Sequence, residues 1–126
     1  MLGLFGIFGR SHELRRLDRA LRNVGLHPRF VPEAVKLTTL KLLNEAGVAA
    51  SDPRSHEAAA ELIGYCVLGE AGFAAANDPS LTQAVEARVE AALEAGDTLD
   101  AQIVLLTLHA GVIQSSVVER YALEAD

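Results

Sequence analysis

The sequence predicts an all-α protein, a compact bundle of about six helices with short connections. Apolar residues recur at steps of three and four through most of the 126 residues, which is the spacing of an amphipathic helix. The four prolines lie near predicted helix starts, and glycines followed by an apolar residue mark predicted helix ends. No alternating strand pattern of useful length is found. A chain of this length buries about two-thirds of its unfolded surface as one domain.

The most continuously apolar stretch is residues 99–118, and its first half predicts the buried central helix of this bundle. The stretch is too polar and too interrupted to span a bilayer. Six of its apolar residues are spaced to lie on one helical face: Leu99, Ile103, Leu106, Ala110, Ile113 and Val117. A helix that is apolar around most of its circumference is expected to be buried on most of it.

The ends of this stretch carry their own signals. Asp97 is the predicted N-cap, because its carboxylate favours the positive end of a helix dipole. Gly111, followed by an apolar valine, predicts a left-handed glycine that ends the helix. Ser116 and Glu119 then form a predicted capping box that opens a short last helix. One uninterrupted helix to Leu123 is the alternative, since the apolar spacing continues through Gly111.

The remaining helices are predicted from the same kinds of start and stop signal. They are expected from Ser11 to about Val24, from Pro32 and Glu33 to about Ala46, from Asp52 and Pro53 to a kink at residues 69–72, and from Asp78 and Pro79 to Gly96. In the first of these helices, leucines are spaced to face inward while arginines face outward.

Residues 1–10 are predicted to be an apolar N-terminal segment interleaved with glycine, followed by a single helical domain at residues 11–126. Leu4, Phe5 and Phe8 are its candidate contact residues. Each of its three glycines costs a helix about 1 kcal/mol relative to alanine, so an external contact is needed to order it. The basic residue follows the apolar run, unlike in a signal peptide, and the run is too short to span a membrane.

Four arginines of the predicted first helix are the best candidate binding feature: Arg15, Arg16, Arg19 and Arg22. Residues 1–41 contain eight basic and three acidic residues, whereas residues 42–126 contain three and 14, and the net charge is −6. This polarity can guide association, or the two parts can pair within a monomer or across a dimer. Nucleic acid is not the expected partner, because the chain is acidic overall and lacks a recognition helix and interleaved aromatic residues.

The sequence matches no catalytic or metal-binding pattern, so no catalytic, cofactor or metal residue is assigned. His56 opens the sequence HEAAAE, which lacks the second histidine of a zinc-protease helix. Glu57 and Glu61, one helical turn apart, are expected to form surface ion pairs rather than to bind a metal with His56. His109 is expected at a helix end and Cys66 in the core. One cysteine excludes an internal disulfide and is typical of a reducing compartment, which favours the cytoplasm.

Together these features favour a non-enzymatic protein–protein interaction module that associates with itself as a dimer, or with another protein, through its apolar N-terminus. A peripheral protein of an anionic membrane surface is the first alternative, because an apolar segment followed by a basic helix can lie in the lipid interface. A small-ligand-binding or enzymatic helical domain is the second alternative. It requires polar groups that converge on a pocket between helices, near His109 or Cys66.

Overall fold

The computed structural model describes residues 2–47 and 52–123, and the side chains of residues 12–47 and 52–123. These residues form six α-helices and one short 3-10 turn, with no strand among them, so the predicted all-α bundle of about six helices is confirmed. The helices are α1 (Leu2–Asn23), α2 (Glu33–Glu45), α3 (Pro53–Ala76), α4 (Pro79–Ala95), α5 (Leu99–His109) and α6 (Ser115–Tyr121), and the 3-10 turn Pro28–Phe30 lies between α1 and α2.

The centre of the bundle is α3, which packs against α1, α4, α5 and α6. The prediction that the first half of residues 99–118 forms the central helix is therefore wrong, although Ile103, Val104 and Leu108 in it are buried as expected. With 24 residues, α3 is long enough to contact four neighbours, whereas α5 has 11 residues and packs against α2, α3 and α4. Small residues on α3, among them the buried Ala59, Ala60 and Gly64, let the neighbouring helices approach closely.

The apolar composition of α3 follows from this central position. By length and composition alone the helix could cross a membrane, with a mean hydropathy of 1.3 over 18 residues. Half of that window is buried inside the bundle, and buried core helices have the same composition. The composition of α3 is therefore accounted for by its neighbours in the fold.

The helix predicted over residues 11–24 begins earlier, because α1 runs without interruption from Leu2 to Asn23. Three glycines lower the helix propensity of this part, but they leave every backbone donor in place, and no proline precedes Ser11. In its second half, Leu17, Leu21 and Val24 at the helix end are buried, as the spacing predicted.

The chain between α5 and α6 confirms two helices rather than one. The amide of Val112 donates to the carbonyl of Thr107 at 3.1 Å, which is the hydrogen bond of a glycine-terminated helix around Gly111. The residues that precede α5 and α6 as N-caps differ from the predicted ones by one position or more. Thr98 caps α5 in place of Asp97, because its hydroxyl accepts from the amide of Ala101 at 3.2 Å.

The start of α6 also differs from the prediction, since no capping box forms at Ser116 and Glu119. The residue before the helix is Gln114, whose side chain makes no capping hydrogen bond. Its backbone amide instead donates to the carbonyl of Cys66 at 2.8 Å. This carbonyl is available because α3 kinks at Gly69, with φ 80° and ψ 172°. The predicted kink is confirmed, and it is where the loop before α6 docks.

Candidate functional site

The exposed side of α1 carries an unpaired basic surface. Arg15, Arg19 and Arg22 are exposed, and they form no salt bridge with any side chain that the structure describes. Asp18, which lies between them in sequence, is instead paired with Lys36 of α2 at 3.0 Å. The positive charge of this surface is therefore not neutralised by its nearest aspartate.

The unbroken α1 joins this surface to the N-terminal segment. At 3.6 residues per turn, Leu4 and Phe8 fall along the same side of the helix as Arg15 and Arg19, and Phe5 lies one position beside them. The side chains of Leu4, Phe5 and Phe8 lie outside the described part of the structure, so their contacts stay a prediction. The expected break at Ser11 hid this alignment from sequence reasoning.

Exposed acidic side chains lie on α4. Glu90 and Glu94 of α4 are exposed and form no salt bridge with the described side chains. The main packing partners of α4 are α3 and α5, whereas those of α1 are α2, α3 and the 3-10 turn. The main contacts of α1 and α4 are therefore with other elements, and no described salt bridge joins Arg15, Arg19 or Arg22 to these two glutamates.

Arg88 is the hub of a polar cluster that sequence reasoning missed. Its guanidinium donates to both carboxylate oxygens of Asp100 at 3.1 Å, to Glu61 at 3.0 Å and to the carbonyl of Ala58 at 3.1 Å. The ion pair predicted for Glu61 is thereby confirmed, whereas Glu57 forms no salt bridge with any described side chain. Burial raises the pKa of the Glu61 carboxyl, and the charge of Arg88 opposes that rise. The cluster ties α3, α4 and α5 together.

A second polar cluster holds α6 against α3 and α4. The hydroxyl of Tyr65 donates to Glu86 at 3.0 Å and lies 3.2 Å from the hydroxyl of Tyr121. Arg120 bonds to the same Glu86 oxygen and to Glu70 at 2.9 Å. Burial and these hydrogen bonds raise the pKa of the Tyr65 hydroxyl. Because each of these groups has partners within the cluster, we interpret it as structural.

A cavity of about 240 Å³ lies between the second half of α1 and the first turn of α3. It is lined by Arg16, Arg19, Ala20 and Asn23 of α1 and by Pro53, His56 and Glu57 of α3. His56 is only 2% exposed, and neither of its ring nitrogens has a hydrogen-bond partner. Of the two glutamates that the sequence had grouped with His56, Glu57 lines this cavity and Glu61 is paired with Arg88. Among the described residues no group of three or more side chains could hold a metal ion.

The other candidate chemical groups lie where the sequence suggested. His109 is the last residue of α5 and is exposed. Cys66 is buried in the core, and this burial raises the pKa of its thiol to about 11. Neither side chain lines the cavity beside His56. The ligand-binding alternative requires a convergence of polar groups near His109 or Cys66, whereas the polar groups that line this cavity are those of α1 and α3 beside His56 and Glu57.

Comparison of the chain with protein-family models, with curated proteins and with solved structures found no match. The features that bear on function are therefore the charged surfaces of α1 and α4 and the cavity beside α1.

Proposed function

We propose that this protein is a non-enzymatic helical interaction module that associates with itself through α1. The binding surface, called the α1 face below, consists of Leu4, Phe5, Phe8, Arg15, Arg16, Arg19 and Arg22. The observation that carries the proposal is the uninterrupted helix from Leu2 to Asn23, which aligns an apolar end with Arg15, Arg19 and Arg22, and these three form no salt bridge with a described carboxylate.

The acidic side of α4 is the surface of a second copy that best fits the α1 face. Two α1 faces repel each other, whereas Glu90 and Glu94 present the complementary charge. Contact between the α1 face of one copy and α4 of another would pair unlike charges. It would also remove the apolar residues at the start of α1 from water. Two such contacts about a two-fold axis give a dimer, and a single repeated contact gives a ring or a chain. A reducing, cytoplasmic setting is part of this proposal.

Sedimentation of the full chain over a range of concentrations tests self-association. Wild-type protein should sediment faster than a monomer, and salt should weaken the association because exposed charges are screened. The double change Arg15→Glu and Arg22→Glu should give monomer, and adding Glu90→Arg and Glu94→Arg should restore assembly. Lys41→Glu, an exposed change on α2, is the control and should leave assembly intact.

The apolar part of the α1 face is tested by Phe5→Ser combined with Phe8→Ser, which should also weaken assembly. The proposal is contradicted if the wild-type protein stays monomeric at high concentration. It is also contradicted if assembly is unchanged by both the arginine and the phenylalanine substitutions.

A peripheral membrane protein is the second candidate, and the same alignment favours it. Apolar side chains at one end of a basic helix can enter the lipid interface while arginines contact anionic headgroups. Flotation with anionic vesicles distinguishes the two. Recovery of the wild type with the vesicles, but not of the Phe5→Ser and Phe8→Ser protein, supports membrane binding. Equal recovery of the two proteins contradicts membrane binding through this segment.

A further inference from the structure

We propose that the cavity between α1 and the start of α3 is a binding site for inorganic phosphate. This inference goes beyond the interaction module proposed above, because it concerns a small ligand and needs no second protein molecule. It rests on the buried, unpartnered imidazole of His56, on the donors that surround it, and on the position of one carboxylate at the cavity.

The buried imidazole of His56 lacks hydrogen-bond partners. A neutral imidazole carries one N–H donor and one acceptor, and its protonated form carries two donors. Both ring nitrogens are buried without a partner, although most buried polar atoms in proteins have one. A leucine would fill similar space without the free-energy cost of burying two unpaired polar atoms. Because His56 lines the cavity, a small rotation of its ring toward the cavity would let a ligand oxygen accept a hydrogen bond from the imidazole and remove this cost.

The remaining lining is suited to an anion. Arg19 and Asn23 supply N–H donors from α1, and Arg16, which makes a further interaction of its own, adds a second guanidinium. The first turn of α3 adds the positive end of a long helix dipole. The cavity of about 240 Å³ has the volume of about eight waters, enough for a small oxyanion with part of its hydration.

Glu57 selects among oxyanions. Its exposed carboxylate also lines the cavity and accepts hydrogen bonds but donates none. Inorganic phosphate keeps at least one proton at neutral pH, so it can donate to Glu57 while its other oxygens accept from Arg19, Asn23 and His56. Sulfate has no proton at this pH and would leave two negative groups facing each other. The cavity should therefore prefer phosphate over sulfate.

The test uses the full chain in chloride buffer at constant ionic strength. The ring signals of His56 are followed by NMR, and thermal unfolding is followed in parallel, while phosphate or sulfate is added. Phosphate should shift the His56 signals in a saturable way and raise the unfolding temperature, since a ligand of the folded state stabilises it. Sulfate should bind at least about tenfold more weakly, because one hydrogen bond to a charged group is worth about that factor.

Variants assign the effect to the cavity. Arg19→Gln should weaken phosphate binding about tenfold, the loss of one charge-assisted hydrogen bond. Arg22→Gln is the matched control. Arg22 lies one turn beyond Arg19 on α1 and does not line the cavity, so this variant loses the same charge outside the site. Glu57→Gln should reduce the preference for phosphate over sulfate. His56→Leu should be at least as stable as the wild type without phosphate, and phosphate should no longer stabilise it.

Three results would overturn the proposal. They are unmoved His56 signals at millimolar phosphate, equal responses to phosphate and sulfate, and equal losses in Arg19→Gln and Arg22→Gln. Vesicles containing phosphatidic acid form a further arm, and a His56 response to them but not to inorganic phosphate would show that a lipid headgroup is the ligand and that the proposal is wrong. If His56→Leu fails to fold, the comparison of Arg19→Gln with Arg22→Gln decides the question.

Discussion

Replacement of Arg88 by methionine removes the hub that joins three helices, and its cost can be worked from the structure. The guanidinium makes four hydrogen bonds, two to Asp100, one to Glu61 and one to the carbonyl of Ala58. The side chains of Arg88, Glu61 and Asp100 are 27%, 25% and 31% exposed, so water screens the interaction in part.

Breaking a fully buried ion pair costs about 3–5 kcal/mol, because the remaining charge stays buried and unpaired. Discounted for the partial exposure of all three side chains, the expected loss of unfolding free energy for Arg88→Met is about 2 kcal/mol at neutral pH. For a domain of this size, that loss lowers the midpoint of thermal unfolding by about 8 °C.

The pH dependence of this loss has a definite sign. Burial raises the pKa of Glu61 above its ordinary value of 4.5, so the folded state holds this proton more tightly than the unfolded chain. Such a group makes stability fall as pH rises from about 4.5 through the raised pKa. Arg88 lowers the pKa of Glu61, so removal of Arg88 raises this pKa further. The penalty of Arg88→Met should therefore be greatest at neutral pH and shrink as the pH falls toward 4.5.

Urea unfolding of the wild type and the variant at neutral pH and near pH 4.5 checks both statements. Arg54→Met is the control, since the side chain of Arg54 is 88% exposed and its change should cost less than about 0.5 kcal/mol. A loss for Arg88→Met as small as that of the control, or a loss that grows on acidification, would refute the reasoning.

Three further predictions concern local features of the bundle. Cys66, whose thiol pKa is raised to about 11 by burial, should react with a thiol reagent only after unfolding, and rapid labelling of the native protein would contradict this. Gly25→Ala should destabilise by at least about 2 kcal/mol in urea, because φ is +91° and the new Cβ would lie 2.5 Å from that of Ala76. Thr98→Ala should cost about 1 kcal/mol through the lost cap to Ala101, and an unchanged urea midpoint would argue against that cap.

The helix boundaries were largely predictable because their signals are local. The glycine at position 111 separates α5 from α6, and Asp52 with Pro53 begins α3, as expected from the residues on either side. The cap of α5 was misplaced by one position, since Asp97 and Thr98 are both good capping residues and only backbone geometry chooses between them. The early start of α1 was missed because glycine lowers helix propensity without forbidding a helix.

The candidate sites were predictable only in part. The arginines of α1 could be selected from their spacing on one helical side, and the structure leaves three of them without an ion pair among the described side chains. His56 and Asn23 could not be selected, because they are 33 residues apart and meet only when α1 packs on α3. The partners of Arg88 come from two other helices for the same reason.

Helix periodicity, proline and glycine act over a few neighbouring residues, so the class of fold, the number of helices and most of their ends follow from local signals in the chain. Three other properties do not: α3 rather than α5 is central, α1 and α4 pack mainly on other elements, and His56 is buried beside a cavity. These properties depend on which helices touch, and contacts between distant residues are set by the packing of whole helix faces.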